Sequence, residues 1–462
     1  MKQFVVNGNI VTPDEIFEGA VFVKDGKIVH VEDGSVDAVA LESEDIQVID
    51  AHDQFILPGA IDVHVHFRIP GGEAKEDWTH GSKAALAGGV TSVLDMPNTN
   101  PPTISQKLLD EKRTLVGKDA MVNYGFYAGA TNDNVEEVAK MTGIAGVKIY
   151  MGSSTGNLLV DDLKVLEDFM TKTDHLLVLH AENEACIREH MAEHEGEENP
   201  AVHSQIRDPE CAAQAVKDAL ALAKKHKRRV HFTHVSTGAE LELIREAKKD
   251  ADYITMDVTP HHLFLSSKDY DQYGTLVRVN PPLRTEENQH LLWEGIADGT
   301  VDLVATDHAP HQLKEKEQIY SKAPSGLPGV QLMMPLLFHM VNEGQLTLEK
   351  VVELTSSHPA QKFGIEGKGA IEAGMDADFM IVDLQKLERV CHHYLWSKAN
   401  WSPFHGWHLK GWPVMTFVGG ELRYEWRDKF HEGKGSELTF VNSSSGGVRG
   451  GKMNLFQCGF FR

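Results

Sequence analysis

The sequence is poor in cysteine, in positive charge and in long apolar runs. Its four cysteines among 462 residues, Cys186, Cys211, Cys391 and Cys458, lie far apart. No C-x-x-C pair and no density typical of a disulfide framework is present, so reduced thiols of a cytoplasmic protein are expected. Lys and Arg total 45 against 68 Asp and Glu, a net charge of −23, which argues against nucleic acid or an anionic membrane as the main partner. An anionic substrate then needs a locally positive site. The N-terminus lacks a basic start followed by a sustained apolar core, because Asn7, Gly8 and Asn9 interrupt it, and no signal peptide is expected. The most apolar later stretch, Gly329 to Val341, holds Pro335 and His339 and is too short to span a bilayer.

What the chain does have is a change of period. Hydrophobic residues make up 41% of it, enough for a large core in a chain too long for one minimal domain. Over residues 1–54, short runs at Phe4–Val6, Ala20–Val23, Lys27–Val31 and Gln47–Ile49, with Asp25-Gly26 as a hairpin turn, predict a small β module. From Phe55 the pattern becomes eight apolar runs, each followed by a helix-like stretch: Ile56–Phe67, Thr91–Met96, Val122–Gly129, Gly146–Met151, Leu176–Glu182, Arg229–Ser236, Ile254–His261 and Leu303–Ala309. Such units predict an α/β protein, and eight of them predict a closed (β/α)8 TIM-like barrel over 55–365, with its chemistry at the C-terminal ends of the strands. Runs at Gly369–Asp383 and Val414–Glu425 predict that 366–440 pairs with the N-terminal strands in a composite β-sandwich domain. Residues 441–462, with Ser443-Ser444-Ser445-Gly446-Gly447, predict a flexible tail of no assigned function, although Phe456, Phe460 and Phe461 are unusual there.

His64-Val65-His66 ends the first of these runs. Side chains alternate along a strand, so the imidazoles share a face while Val65 points away; this suits one metal ion, or equally a satisfied polar pair. Later strands bring Lys148, His180, His234 and Asp307 to the same mouth. Four imidazoles and a carboxylate suit two zinc-like ions, but an ammonium beside two cations does not. Lys148 therefore snorkels away or pairs with an acid, or it loses its charge by reacting with carbon dioxide to form a carbamate able to bridge the metals. On the sixth strand, His231 competes with His234. The two face opposite sides and His234 is nearer the strand end, so His234 is taken as the ligand and His231 as a packed neighbour. His261 and His262 are not needed for the set and are read as structural.

The motifs around these residues are Asp62-Val63-His64-Val65-His66-Phe67-Arg68-Ile69-Pro70-Gly71, Lys75-Glu76-Asp77, Gly88-Gly89-Val90-Thr91, Met96-Pro97-Asn98-Thr99, Gly146-Val147-Lys148 and Thr306-Asp307-His308-Ala309-Pro310-His311. From about Asn7 to Gly420 the chain resembles the amidohydrolase superfamily and, within it, the dihydroorotase family. The resemblance implies two divalent ions, zinc first among them, held by His64, His66, carboxylated Lys148, His180, His234 and Asp307. It implies that Arg68, Asn98 and His311 clamp a substrate carboxylate, a task suited to a guanidinium, and that Asn280 and the backbone near Gly326–Gly329 contact the ring.

The implied activity is the reversible cyclisation of N-carbamoyl-L-aspartate to L-dihydroorotate plus water in pyrimidine biosynthesis. A metal-bridged hydroxide would attack the ring amide carbon, with Asp307 carrying the proton to the departing nitrogen. Two cations set against carbamate, Asp307 and hydroxide leave about one net positive charge, which suits an anion. Gly152–Asn157, after the lysine strand, either closes over the substrate through Ser154 or Thr155 or is a static turn. Hydantoinases, dihydropyrimidinases and allantoinases are the rival cyclic amidases; a non-catalytic dihydroorotase-like scaffold is a rival of another class. The expected partners are the small-molecule substrate and further copies of the chain, in a homo-oligomer such as a dimer. Neither nucleic acid nor membrane is expected.

Overall fold

The computed structural model describes residues 3–34, 46–153 and 158–441. Ser154, Thr155 and the tail beyond Val441 lie outside the described residues. The chain opens with strands β1 (Gln3–Val11), β2 (Ile16–Lys24), β3 (Lys27–Asp33) and β4 (Ile46–Pro58). Asn7 to Asn9, which interrupt the apolar run, stay within β1. The register against β4 shifts there, and a Cβ on Gly8 would come to 3.1 Å from that of Ala51, so the close approach needs glycine.

Eight strands follow: β5 (Ala60–Val65), β6 (Val90–Asp95), β7 (Asn123–Gly129), β8 (Gly146–Tyr150), β9 (Leu177–His180), β10 (Val230–Phe232), β11 (Ile254–Val258) and β12 (Leu303–Val304). They pair in parallel and in sequence order. The ring closes where His66 N donates to His308 O at 2.8 Å, beside a bridge between Val65 and His308. Every residue of these strands is buried, which is why they read as apolar runs rather than alternating ones.

The sheet of the chain ends is completed by β13 (Phe379–Arg389), β14 (His408–Val418), β15 (Glu421–Glu425) and β16 (Lys429–Phe430). The hydrogen-bonded order β16-β15-β14-β13-β4-β1-β2-β3 unites both termini in one mixed sheet. It curls until its halves face each other: Phe4 lies 5.5 Å from Phe417, Phe417 lies 4.6 Å from Phe379, and Ile28 N donates to Met375 O at 2.9 Å. Val6, Ile10, Val21 and Ile381 fill the layer between them, giving the composite β-sandwich.

Three local expectations are corrected. The run Ile56–Phe67 is divided: through Pro58 it pairs with β13, and only from Ala60 does it join the barrel. The seventh run ends in a helix, Pro260–Phe264, because Thr259 accepts from His262 N and Pro260 favours a first turn. Cys186 and Cys211 are joined in a disulfide. They are 25 residues apart in sequence, but the helices Glu184–Glu193 and Pro209–His226 begin side by side and bring the two Cα atoms to 5.5 Å. Cys391 is free, and Cys458 lies outside the described residues. Among the described residues, no helix is long and apolar enough to cross a membrane.

Candidate active site

The six expected ligands come from five barrel strands or the residues just beyond them. His64 lies in β5 and His66 one residue beyond it; Lys148 is central in β8; His180 ends β9; His234 and Asp307 follow β10 and β12. Arg68, His234 and Asp307 have φ of +67°, +42° and +46°. Side chains disfavour that region by about 1–3 kcal/mol per residue, and it persists only where the surroundings impose it. Here buried carboxylates pin the adjoining amides. Asp95 Oδ1 accepts from Phe67 N at 2.8 Å, Asp257 Oδ1 from His234 N at 2.6 Å, and Asp62 Oδ1 from Thr306 N at 3.0 Å.

His64 Nε2 and His66 Nε2 approach Asp307 Oδ1 at 3.2 and 3.0 Å. His66 Nδ1 lies 2.7 Å from Asn98 Oδ1, which can only accept, so Nδ1 carries the hydrogen and Nε2 turns a lone pair toward a carboxylate oxygen. A cation between them resolves that opposition. A proton is disfavoured, because burial lowers the pKa of His66 and takes that of His64 well down. On the other side, His180 Nδ1 is 3.0 Å from His234 Nε2. Glu182 Oε2 accepts from His180 Nε2 at 2.8 Å, which leaves the Nδ1 lone pair for the cluster. His64 Nδ1 and His234 Nδ1 are buried without a hydrogen-bond partner.

Lys148 is fully buried, and burial pulls its ammonium down to about 8. Its Nζ donates to Thr233 Oγ1 at 3.0 Å, and no carboxylate among the described residues forms an ion pair with it. The donor set therefore fits divalent cations. It consists of buried neutral imidazoles, one carboxylate and one amine that burial makes easy to neutralise.

His64, His66, His180, His234 and Asp307 open into a cavity whose wall also includes Arg68, Asn98, Tyr150, Asn280, Ser325 and Gly326, while Lys148 does not line it. Arg68 is buried; one terminal nitrogen donates to Pro310 O at 3.2 Å, and Nε has no partner. His311 does not line the cavity. It stands behind Arg68 at 3.3 Å, with Nδ1 accepting from Lys75 at 2.9 Å and Nε2 on Ser325 O at 3.0 Å. Burial, with Arg68 and Lys75 beside it, keeps its imidazole neutral. Asn280 Oδ1 accepts from His203 Nε2 at 2.8 Å.

A family model described as "Amidohydrolase family" matches residues 55–423. The chain belongs to the amidohydrolase family. Among curated amidohydrolases, the dihydroorotase of Methanosarcina acetivorans is 38% identical over 408 residues, 85% of this chain and 87% of that one. The dihydroorotase of Pyrococcus furiosus is 35% identical over 424 residues, 92% and 93% of the two chains. Among solved structures, an L-hydantoinase from Arthrobacter aurescens superposes with a TM-score of 0.90 at 29% identity, covering 95% of this chain and all of that one. A dihydropyrimidinase from Brevibacillus agri reaches 0.84 at 26%, covering 93% and 96%.

Sequence reasoning missed several residues of this amidohydrolase site. Tyr150 lines the cavity with its hydroxyl buried and, among the described residues, unpartnered; its signal is a position two beyond Lys148 on one strand face. Glu182 bears the same relation to His180, and burial, which would raise its carboxyl, is outweighed by Arg207 and His180, which hold it far down. Arg207 reaches it from a distant loop, with one terminal nitrogen 2.5 Å from Oε2; nothing local marks it. His231 lies inside the barrel on Asp257 and Thr255, both at 2.8 Å, and His262 bonds Thr259 and Pro281 O at 2.8 and 3.0 Å. Neither lines the cavity.

Proposed function

We propose that this chain is a dihydroorotase, interconverting N-carbamoyl-L-aspartate and L-dihydroorotate plus water. The observation that carries the choice of substrate is Arg68. It is a buried guanidinium on the cavity wall with a neutral His311 behind it and, among the described residues, no partner for Nε and no carboxylate paired with it. A ring that bears a carboxylate completes that arrangement; an uncharged hydantoin or dihydropyrimidine leaves a buried charge unpaired. The named dihydroorotases at 35–38% identity support the same reading.

His64, His66, His180, His234, Asp307 and a carboxylated Lys148 would hold two divalent ions, with zinc suggested by the imidazole-rich set. When bound, such ions polarise a carbonyl and bring the pKa of water toward neutrality. The chain's own part is positional and acid–base. Arg68 and Asn98 orient the substrate carboxylate, and Asn280, steadied by His203, faces the ring. Both histidine contacts of Asp307 fall on Oδ1, which leaves Oδ2 to hold a proton passing between water and the ring nitrogen. In the cyclising direction, Oδ2 takes the proton from the ureido nitrogen. The same reading makes the enzyme cytoplasmic and homo-oligomeric.

A hydantoinase is the second reading, favoured by the superposition on an L-hydantoinase at a TM-score of 0.90. Purified protein assayed with dihydroorotate, dihydrouracil, hydantoin and allantoin separates the two, and preference for an uncharged ring overturns the first. Arg68→Met should lower kcat/KM for dihydroorotate by about a hundred-fold or more, the scale of a lost charged hydrogen-bonding partner. Bound metal should be unchanged; equal loss of both would make Arg68 structural.

A further inference from the structure

Outside the barrel mouth, the helix Glu184–Glu193 carries Cys186 and His190 four residues apart, so both side chains lie on one face. The helix Pro209–His226 starts from Asp208, whose Oδ1 accepts from Cys211 N at 3.0 Å. The two starts are tied together by Asn183 N donating to Cys211 O at 2.9 Å. As a result, one donor atom from each of Cys186, His190, Asp208 and Cys211 lies within 4.8 Å of the other three. His190 Nδ1 is 3.7 Å from Cys211 Sγ. Cys211 is buried and the other three are half-buried.

A disulfide uses the two sulfurs and the helix cap uses Asp208 Oδ1, which leaves the His190 imidazole and the second carboxylate oxygen as donors. His190 forms no ion pair among the described residues, and its ring contact is with sulfur. Two thiolates, an imidazole and a carboxylate at Cys-x3-His and Asp-x2-Cys spacing make a donor set for a tetrahedral site of a borderline-soft divalent cation. The barrel-mouth set offers only nitrogen and oxygen, so the two sites differ in kind.

We propose that Cys186, His190, Asp208 and Cys211 form a second cation site, which takes one zinc-class ion when the cysteines are reduced and is closed by their disulfide when they are oxidised. A low-molecular-weight dithiol supplies the electrons. One of its thiolates attacks a disulfide sulfur to give a mixed disulfide, and its second thiolate displaces the remaining cysteine sulfur. The dithiol leaves as a cyclic disulfide, two electrons poorer, and the protein gains two thiols. Binding of a divalent ion then releases two protons and gives a dithiolate complex. In reverse, a small disulfide accepts the two electrons and the ion departs. The geometry allows this because each helix with its cap contributes one sulfur and one harder donor, so the ion replaces the covalent bond as the tie between the two helices.

Cobalt(II) added to the full chain tests the proposal, since a thiolate-to-cobalt charge-transfer band in the near ultraviolet arises only from sulfur ligands. In protein reduced with a phosphine, the band should rise to one equivalent; in protein with the Cys186–Cys211 bond intact, it should be absent. Cys186→Ser and Cys211→Ser should each abolish it while dihydroorotate turnover persists, and His190→Ala should weaken cobalt binding by about ten-fold or more. Alkylation should count two more thiols after reduction than before. No band in protein shown to be fully reduced overturns the site, as does a band that survives both serine variants. The wild-type comparison decides the matter even if a variant fails to fold.

Discussion

Lys148 sets a buried ammonium against a threonine hydroxyl, with no carboxylate paired to it among the described residues, an arrangement that is costly for a charge and reasonable for an amine open to modification. With its ammonium pulled down to about 8, a useful fraction is neutral near neutrality, and only the neutral amine can react with carbon dioxide. Lys148→Ala should therefore lose bound metal and turnover together, turnover by more than about a hundred-fold; full activity with metal retained would refute the carbamate. Glu182 acts one bond further out. It fixes the hydrogen on His180 Nε2 and is itself fixed by Arg207. Glu182→Gln should weaken metal binding by about 10- to 100-fold, measured by competition with a chelator, while the wild-type fold is retained by circular dichroism. Unchanged metal affinity would make Glu182 only an anchor for Arg207. His64, His66, Arg68 and Asp307 are legible in the sequence because they sit at fixed offsets from strand ends. Arg207 is not, since its role exists only once a loop has crossed the mouth.

The loop after β10 shows how an element places a side chain at the mouth. His234 is followed by Thr237, whose Oγ1 caps the helix Gly238–Lys248 while Glu240 reaches back to Ser236 N and Thr237 N at 3.1 and 2.9 Å. This capping box starts the helix three residues beyond His234, whose own turn at positive φ is held by Asp257 on its amide. Thr237→Ala should cost about 1 kcal/mol of stability, seen as a lower thermal midpoint with turnover little changed. A large loss of turnover at an unchanged midpoint would mean that the cap positions His234 directly. The spacing Thr237-x-x-Glu240 is a readable signal, whereas the early end of β10 at Phe232 is not: no Gly, Pro, Asn or Asp marks a turn before Gly238, and only the closed barrel decides where pairing stops.

At the scale of the whole molecule, Lys368 joins the two sheets. It pairs with Asp378 and lies 2.9 Å from Asp376, while Asp378 accepts from Asn123 of β7 at 2.8 Å and from Gly419 N at 2.6 Å. Removing one member of a buried pair costs about 3–5 kcal/mol, so Lys368→Met should lower the thermal midpoint markedly while leaving the mouth intact. The pH dependence has a definite sign. Burial raises the carboxyl of Asp376, but Lys27 and Lys368 outweigh it and hold it below its usual range. A depressed carboxylate contributes stability above its unfolded pKa of about 4 and loses it as pH falls through the folded value. Thermal midpoints taken across that acid range should fall in the wild type and fall less steeply in Lys368→Met. Parallel slopes would remove this pair from the account.

The count of barrel strands, the order of the β/α units and the polar residues His64, His66, His180, His234 and Asp307 at the mouth were legible locally, because buried parallel strands must be apolar and chemistry at their ends must be polar. Three things were decided only by packing. One is the handover from the sandwich to the barrel at Gly59, hidden inside one continuous apolar run. Another is the Arg207–Glu182–His180 chain. The last is the meeting of Cys186 with Cys211, beside His190 and Asp208. Each depends on segments far apart in sequence sharing a surface, and a pattern of residue types carries no distance between such segments.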